Sequence, residues 1–258
     1  MEVLRAIALR RGKYAAVAAL SMSLLTGVVA HGAAKGDTPV DDRTAPLPMP
    51  KDPHLIVLFS GKPSEVRENW VQQGTDQPPT WQVKDGGMET SKSNIVTKQK
   101  FKDFQLHAEF KVPYMPEAHG QERGNSGIKL LTLYEIQILD SYGVKEPGSG
   151  DCGAVYRQSA PLVNACKPPL SWQTYDISFR AARFDAEGKV AQKPRVTVFQ
   201  NGICVQNDQE INGATSAGAS GDAKDGPILL QFHHNTVQFR SVWIVPLPEE
   251  GAKRYAPK

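Results

Sequence analysis

The chain has 258 residues, three cysteines and a formal charge of +3 at neutral pH. Residues 1–34 carry four basic side chains and one acidic side chain, so the formal charge of the remainder is 0. A neutral domain lacks the basic surface that a nucleic-acid partner or an anionic membrane requires, and both partners are excluded.

Residues 1–34 have the pattern of a cleavable secretory signal peptide. A basic start precedes an apolar run over residues 14–30, and small residues follow. An uncleaved N-terminal anchor is the alternative, because the apolar run is close to the shortest length that spans a bilayer. The sequence predicts a periplasmic or secreted protein with no membrane partner after cleavage.

Residues 53–247 are predicted to form one domain. This length, about 195 residues, is enough for a sizeable core. Residues 35–52 are rich in Pro, Asp and Ala without an apolar period, which predicts a flexible linker, and residues 248–258 form a short tail.

Most of the domain alternates apolar and polar residues with the two-residue period of β-strands. In chain order, strands are predicted in the segments HLIVLF, WQVK, MET, FQLHAEFKV, SGIKLLTLYEIQILD, WQTYDISFRAARF, RVTVFQ and ICVQND. Of these, SGIKLLTLYEIQILD is either one bent strand or two strands. The segment PSEVRENW, which follows the first strand, predicts one or two helical turns. Many short strands at near-regular intervals predict an all-β fold, a sandwich or jelly roll.

Turn and loop signals divide these strands. Asp85-Gly86-Gly87 and Asn201-Gly202 predict two tight hairpins, and residues 227–247 are predicted as a final hairpin. Two irregular segments, 113–125 and 141–169, are longer than hairpins need, and loops of that length are usually functional or disordered. Residues 213–226 are predicted to be a flexible insertion rich in Gly, Ala and Ser.

Three cysteines lie in the domain. Cys152 and Cys166 would close a loop of about 15 residues, which is worth about 3 kcal/mol as a disulfide in an oxidising compartment. Free thiols are the alternative. Cys204 alternates with apolar neighbours and is predicted to be a small buried residue.

The strand YEIQILD raises the question of function. Its apolar side chains alternate with Glu135 and Gln137, and Asp140 closes the run. The polar face is either a solvated stripe or the floor of a site for a polar ligand. Jelly-roll glucanases carry three acidic residues at alternate positions, whereas this strand has an amide and a leucine at the second and third. An ordinary double displacement, which needs two carboxyl groups, is therefore disfavoured.

Other candidate residues are individually weak signals. His233 suits acid/base chemistry or metal binding, although histidines in turns are often merely exposed. Arg240 and Glu109 each lie in an alternating strand, where the plain interpretation is a solvated outer face. The chain contains no phosphate-binding glycine loop, dinucleotide fingerprint, nucleophile elbow or zinc-protease motif. A polar, aromatic-rich β protein of this kind suits a carbohydrate ligand.

Seven segments resemble, in order and spacing, the 3-keto-disaccharide hydrolase domain family, over residues 53–247. They are LFSGK, DFQLHAEFKVP, RGNSGIKL, YEIQILDSYG, GAVYRQSAPLVNACKPPLSWQTYDISF, FQNGICV and GPILLQFHHNTVQFRSVWIVPL. The resemblance implies a concanavalin A-like jelly roll of two antiparallel sheets. It also implies cleavage of glycosides whose sugar carries a ketone at C3, by removal of the C2 proton, elimination and hydration. The alternatives are a non-catalytic carbohydrate-binding module and an ordinary glycoside hydrolase.

The resemblance also implies a set of site residues. The catalytic candidates, expected to converge in one cleft, are Glu135, His233 and Arg240. The substrate-binding candidates are Asn125, Gln137, Asp140, Arg123, Tyr156 and Glu109. A divalent metal ion is one candidate for holding the enolate oxygen, with His233 as a candidate ligand. Phe232 stands where many relatives have aspartate, and the insertion at 213–226 is absent from typical members.

Overall fold

The computed structural model describes residues 45–215 and 219–249. The predicted signal peptide, residues 35–44 of the linker and residues 250–258 of the tail lie outside the described residues. No helix within the described ranges is long and apolar enough to cross a membrane.

The regular secondary structure of the described residues is almost entirely β. One short helix, α1 (Pro63–Asn69), and one 3-10 turn at Gly120–Glu122 accompany the strands. The strands are β1 (Ile56–Phe59), β2 (Trp70–Gln72), β3 (Gln82–Lys84), β4 (Gly87–Glu89), β5 (Ile95–Thr97), β6 (Phe104–Lys111), β7 (Ser126–Leu130), β8 (Tyr134–Ile138), β9 (Gln173–Arg180), β10 (Arg183–Phe184), β11 (Val190–Gln192), β12 (Arg195–Gln200), β13 (Ile203–Glu210), β14 (Leu229–Leu230) and β15 (Gln238–Pro246).

Two large antiparallel sheets make up the domain, and β10 and β11 form a separate two-stranded antiparallel ribbon. The eight-stranded sheet has the order β13-β12-β9-β6-β15-β4-β3, with β1 also paired to β15. The five-stranded sheet has the order β2-β5-β14-β7-β8. Alternate side chains of both sheets enter one hydrophobic core, among them Phe110 of β6 and Ile136 of β8. The predicted all-β, concanavalin A-like jelly roll is confirmed.

The local turn signals are confirmed. Asp85-Gly86 joins β3 to β4 with φ of 49° and 75°, and Asn201-Gly202 joins β12 to β13 with φ of 53° and 79°. Positive φ at both central residues is the geometry that matches the twist of a two-residue hairpin. The segment 126–138 forms two strands, β7 and β8, rather than one bent strand.

The predicted final hairpin at 227–247 is wrong. β14 pairs with β5 and β7 in the five-stranded sheet, whereas β15 lies between β6 and β4 in the eight-stranded sheet. The connection 231–237 therefore crosses from one sheet to the other. It is anchored at Asn235, whose Oδ1 accepts from the Asn125 amide at 2.6 Å and whose carbonyl accepts from Thr90 Oγ1 at 2.6 Å. The alternation of apolar and polar residues predicts both strands, but it does not predict which sheet each strand joins.

The predicted disulfide is not found in this structure. Cys152 and Cys166 are free thiols, and Gln200 Nε2 donates to both sulfurs at 3.5 and 3.3 Å. The shared contact with Gln200 brings the two cysteines close together, as the loop spacing predicts. Cys204 is half-buried rather than buried.

Two segments predicted to be flexible contact the domain. Leu47, in the linker, donates its amide to Glu109 Oε1 at 2.6 Å. In the insertion, the Thr215 amide donates to the Leu133 carbonyl at 3.0 Å, and Thr215 Oγ1 accepts from the Glu135 amide at 3.0 Å. Composition alone did not reveal these bonds, because each depends on a partner distant in sequence.

Candidate active site

A polar cleft of about 250 Å³ lies on the outer face of the five-stranded sheet. It lies on that face because Tyr134, Ile136 and Ile138 of β8 fill the core, so the residues between them project the opposite way. The cleft is lined by Gln121, Asn125, Lys129, Glu135, Gln137, Tyr156, Arg157, Gln231 and His233. Five of the nine predicted site residues therefore line one cleft: Asn125, Glu135, Gln137, Tyr156 and His233.

Glu135 is held at the floor of the cleft by strand pairing. Lys129 of β7 is its direct cross-strand partner, and Lys129 Nζ lies 3.3 Å from Glu135 Oε2. The other carboxylate oxygen is Oε1. It accepts a hydrogen bond from the side-chain nitrogen of Gln137 at 3.0 Å when the oxygen and nitrogen of that side-chain amide are exchanged, the orientation that gives both atoms suitable partners. Gly127 leaves room for the carboxylate, because a Cβ at this position would lie 2.7 Å from Oε1.

Burial governs the ionisation of Glu135. The residue is only 4% exposed, and desolvation raises its pKa above the ordinary 4.5. The cationic side chain of Lys129 opposes this shift most strongly, followed by His233 and Arg157. A buried carboxylate with a raised pKa is the usual form of a catalytic base or acid in a protein cleft.

The long loop 141–169 packs beside β8 and completes one wall. The Tyr156 amide donates to the Glu135 carbonyl at 3.0 Å, and the Gln137 amide donates to the Ala154 carbonyl at 3.0 Å. These bonds extend the sheet edge and bring Arg157 to the cleft, with its guanidinium 5.3 Å from the centre of the Tyr156 ring. The long loop thus contributes Tyr156 and Arg157 to the lining of the cleft.

The connection between the two sheets supplies the opposite wall. The Gln231 amide donates to the Gly127 carbonyl at 3.0 Å, which holds the start of the connection against β7. His233 follows at the exposed mouth of the cleft. Asn125 is buried and donates Nδ2 to the Gln121 carbonyl at 2.6 Å, so it orders the 3-10 turn that carries Gln121.

Arg240 and Glu109 do not reach this cleft. They form a buried ion pair, 2.8 Å between Arg240 Nε and Glu109 Oε2, on the outer face of the eight-stranded sheet. The Arg240 guanidinium also lies 4.0 Å from the centre of the Trp172 ring. The expectation that Arg240 converges with Glu135 and His233 is therefore not met. Alternation predicts the outward direction of such side chains but not which sheet carries them.

Arg123 and Asp140 lie beside the cleft rather than in its lining. Arg123 donates Nε and Nη2 to the Asp140 carbonyl at 3.1 and 2.8 Å, and its Nε lies 3.4 Å from the Asp140 carboxylate. Burial raises the pKa of Asp140, and the charge of Arg123 opposes that shift. This pair fixes the approach of segment 120–125 to the end of β8.

Sequence reasoning missed Gln121, Lys129, Arg157 and Gln231. Lys129 had a usable signal, because pairing SGIKL with YEIQI as a hairpin places it directly opposite Glu135. Arg157 had none, since its position depends on how the long loop folds.

The cleft does not fit a divalent metal ion. No group of three or more His, Cys, Asp or Glu side chains suited to a metal occurs in the described part of the chain. The lining offers Glu135 and His233 as usual ligands, but Lys129 and Arg157 place positive charge beside them. The sequence-based suggestion of a divalent ion held by His233 gains no support from these donors.

Comparison with known proteins agrees with this architecture. A solved candidate glycosyl hydrolase from Parabacteroides distasonis ATCC 8503 is 36% identical, with a TM-score of 0.71 over 88% of this chain and 95% of that chain. A second one from the same organism is 21% identical, with a TM-score of 0.57 over 76% and 94%, and shares the fold. No curated protein matches the chain at a significant level.

The family model supplies the assignment. Residues 54–245 match the model of the 3-keto-alpha-glucoside-1,2-lyase-like domain, which covers nearly the whole predicted domain. The resemblance identified from the sequence motifs is confirmed, and the family and the 36% identical structure support a carbohydrate-active protein of the glycoside-hydrolase type. The chain belongs to the 3-keto-alpha-glucoside-1,2-lyase-like domain family.

Proposed function

We propose that this protein cleaves the glycosidic bond of 3-keto glycosides by elimination and hydration, outside the cytoplasm. The observation that carries the proposal is a single buried carboxylate: among the nine residues that line the cleft, only Glu135 has one. Direct displacement at C1 uses two carboxyl groups, about 5–5.5 Å apart in retaining enzymes and about 6.5–9.5 Å apart in inverting ones. Elimination from a 3-keto sugar needs only one base.

The reaction balances without a cofactor. The C3 ketone acidifies the C2 proton, and the Glu135 carboxylate removes it while the C–H electron pair forms the C2–C3 double bond of an enolate. The enolate then re-forms the ketone, C1 and C2 become doubly bonded, and the C1–O bond to the leaving group breaks. The leaving oxygen takes up a proton. Water finally adds OH to C1 and H to C2, so the sum is hydrolysis.

The other lining residues have matching roles in this scheme. In this scheme His233, which lines the cleft at its mouth, gives a proton to the departing oxygen. The amides of Gln121, Asn125, Gln137 and Gln231 offer both donors and acceptors, which suits sugar hydroxyls. Tyr156 is the single aromatic lining residue and has Arg157 beside its ring, so the cleft lacks the open aromatic platform of a binding module.

The proposal is tested with a 3-keto disaccharide and its unoxidised parent, each incubated with the purified protein in D₂O and followed by NMR. We expect 3-keto-glucose deuterated at C2, released from the oxidised substrate alone. Cleavage of the parent sugar would assign an ordinary glycoside hydrolase. Binding of either sugar without cleavage would assign a binding module.

Export is tested separately from the chemistry. Residues 1–34 are expected to be removed during secretion, so the intact mass of the protein recovered from the periplasm or medium should lack them. A full-length mass in the membrane fraction would instead support an uncleaved anchor.

A further inference from the structure

The cleft holds more positive than negative charge. Its one carboxylate, Glu135, faces Lys129, Arg157 and, when protonated, His233. The Lys129 and Glu135 side chains are 12% and 5% exposed, so both charges are largely withdrawn from water. In such an environment a charge interacts strongly with its neighbours, and a surplus of cations favours a reaction in which negative charge develops on the ligand.

We infer that Lys129 is a catalytic residue that holds the ketone oxygen of the substrate while that oxygen carries the enolate charge. The inference rests on the proposed function and deepens it. Lys129 is chosen over Arg157 because Lys129 contacts the carboxylate directly, 3.3 Å from Nζ to Oε2, and is placed by strand pairing rather than by a loop.

The ion pair provides for a transfer of charge. Before reaction, the ammonium group of Lys129 compensates the carboxylate of Glu135. When Glu135 accepts the C2 proton it becomes neutral, and the negative charge moves to the oxygen on C3, one carbon away. An ammonium group already beside Glu135 then faces that oxygen. The net charge of the buried cleft is unchanged, so no large desolvation cost accompanies the step.

This role replaces the one considered for a divalent ion. A metal would need anionic or neutral donors around it, whereas the cleft places Lys129 and Arg157 beside its one carboxylate. The enolate is then stabilised by the side chains of the protein itself, and we expect cleavage to continue after exhaustive treatment with chelator.

The test compares Lys129→Met and Lys129→Arg with wild type and with Lys100→Met, a matched control at an exposed position outside the cleft. Removing one preorganised group that stabilises developing negative charge costs about 10²–10³-fold in kcat. We expect that loss in Lys129→Met with KM changed less than about threefold, because the ammonium acts mainly in the transition state. Lys129→Arg keeps the charge and should be intermediate, and Lys100→Met should match wild type.

Two readouts separate catalysis from structure. Exchange of the C2 proton with D₂O should slow in parallel with kcat, whereas binding of the unoxidised disaccharide, which forms no enolate, should stay near wild type. Melting curves show whether each variant is folded. If Lys129→Met does not fold, Lys129→Arg carries the comparison, and full wild-type exchange in that variant would overturn the inference.

The outcomes distinguish the two levels of the proposal. Wild-type cleavage of the 3-keto substrate with an unimpaired Lys129→Met variant overturns the role of Lys129 and leaves the proposed function standing. Equal losses in sugar binding and in kcat assign Lys129 to ground-state binding and overturn the inference. Loss of wild-type activity on chelation, restored by a divalent ion, also overturns it. No cleavage by wild type overturns both.

Discussion

Glu135 is buried at the floor of the cleft, with Lys129 beside one carboxylate oxygen and the side-chain amide of Gln137 beside the other. Burial raises its pKa, and the cations around it limit the rise without cancelling it. A raised pKa makes the Glu135 carboxylate a stronger base than an exposed glutamate. The chemistry of the cleft thus depends on the environment of one residue.

The first prediction concerns the pH dependence of cleavage. Only ionised Glu135 accepts the C2 proton, so kcat/KM should rise with pH as it deprotonates, with the midpoint above the ordinary 4.5 because its pKa is raised. The charged groups facing it are Lys129 from β7, His233 from the connection between the sheets and Arg157 from the long loop. Glu135→Gln should lower kcat by about 10²–10⁴-fold. A midpoint at or below 4.5 in the wild-type profile would contradict this assignment.

A second prediction concerns Gly127. An added methyl group at this position would lie 2.7 Å from Glu135 Oε1 and must displace the carboxylate. Because misplacing a reacting group by about 1 Å costs on the order of 10²-fold, Gly127→Ala should lower kcat by about that factor. The matched control is Gly148→Ala, where the nearest atom to a new Cβ is 3.7 Å away. Wild-type kcat in Gly127→Ala, measured on folded protein, would show that the carboxylate position does not matter.

At the scale of elements, β6 and β15 pair so that Arg240 faces Glu109 on the outside of the eight-stranded sheet. The linker crosses this pair: the Leu47 amide donates to Glu109 at 2.6 Å, and Arg240 Nη2 donates to the Ala45 carbonyl at 3.2 Å. Burial opposes ionisation of Glu109, but the nearby His107 side chain, the Leu47 amide and the Arg240 guanidinium favour the charged carboxylate and lower its pKa to about 2. The pair therefore stabilises the packing of strands and linker.

The third prediction separates this structural role from catalysis. Arg240→Met leaves the buried Glu109 carboxylate without its guanidinium, and breaking a buried pair in this way costs about 3–5 kcal/mol of unfolding free energy. We expect that loss in urea unfolding, with kcat/KM at low temperature within a few-fold of wild type. The double variant Glu109→Leu/Arg240→Met should be less destabilised than the two single changes predict together. A large loss of kcat in a folded Arg240→Met variant would contradict this prediction and would show that Arg240 takes part in catalysis.

At the scale of the whole molecule, the same pair links stability to acid pH. The Glu109 pKa is about 2 in the folded protein and near 4.5 when the group is free, so the folded state favours the ionised form. A group with a depressed pKa stabilises the fold above its unfolded pKa and loses that contribution as pH falls toward its folded pKa. Global stability thus depends on a site remote from the proposed chemistry.

The fourth prediction follows from this linkage. Between pH 4.5 and about 2, the unfolding free energy should fall by about 3 kcal/mol through Glu109 alone. Chemical denaturation across this range measures the slope, and Glu109→Gln, which cannot ionise, should show a shallower one. Identical slopes in the two proteins would mean that other carboxylates account for acid unfolding.

Much of the fold follows from local sequence. The period of two places Tyr134, Ile136 and Ile138 in the core and therefore turns Glu135 and Gln137 outward. The turns at Asp85-Gly86 and Asn201-Gly202 are equally local, because positive φ is a property of the residues themselves. The strand faces and the two hairpin turns can therefore be predicted from a few neighbouring residues in the sequence.

The sequence by itself thus determined the class of fold, the family and the polar strand that forms the floor of the cleft. Only the tertiary structure decided which residues meet there. It sends β14 and β15 to different sheets, which brings His233 to the cleft and leaves Arg240 on the opposite face, and it folds the long loop so that Arg157 arrives beside Glu135. The physical reason is that alternation specifies whether a side chain points in or out, whereas its partners depend on strand order and loop packing, which are set by contacts distant in sequence.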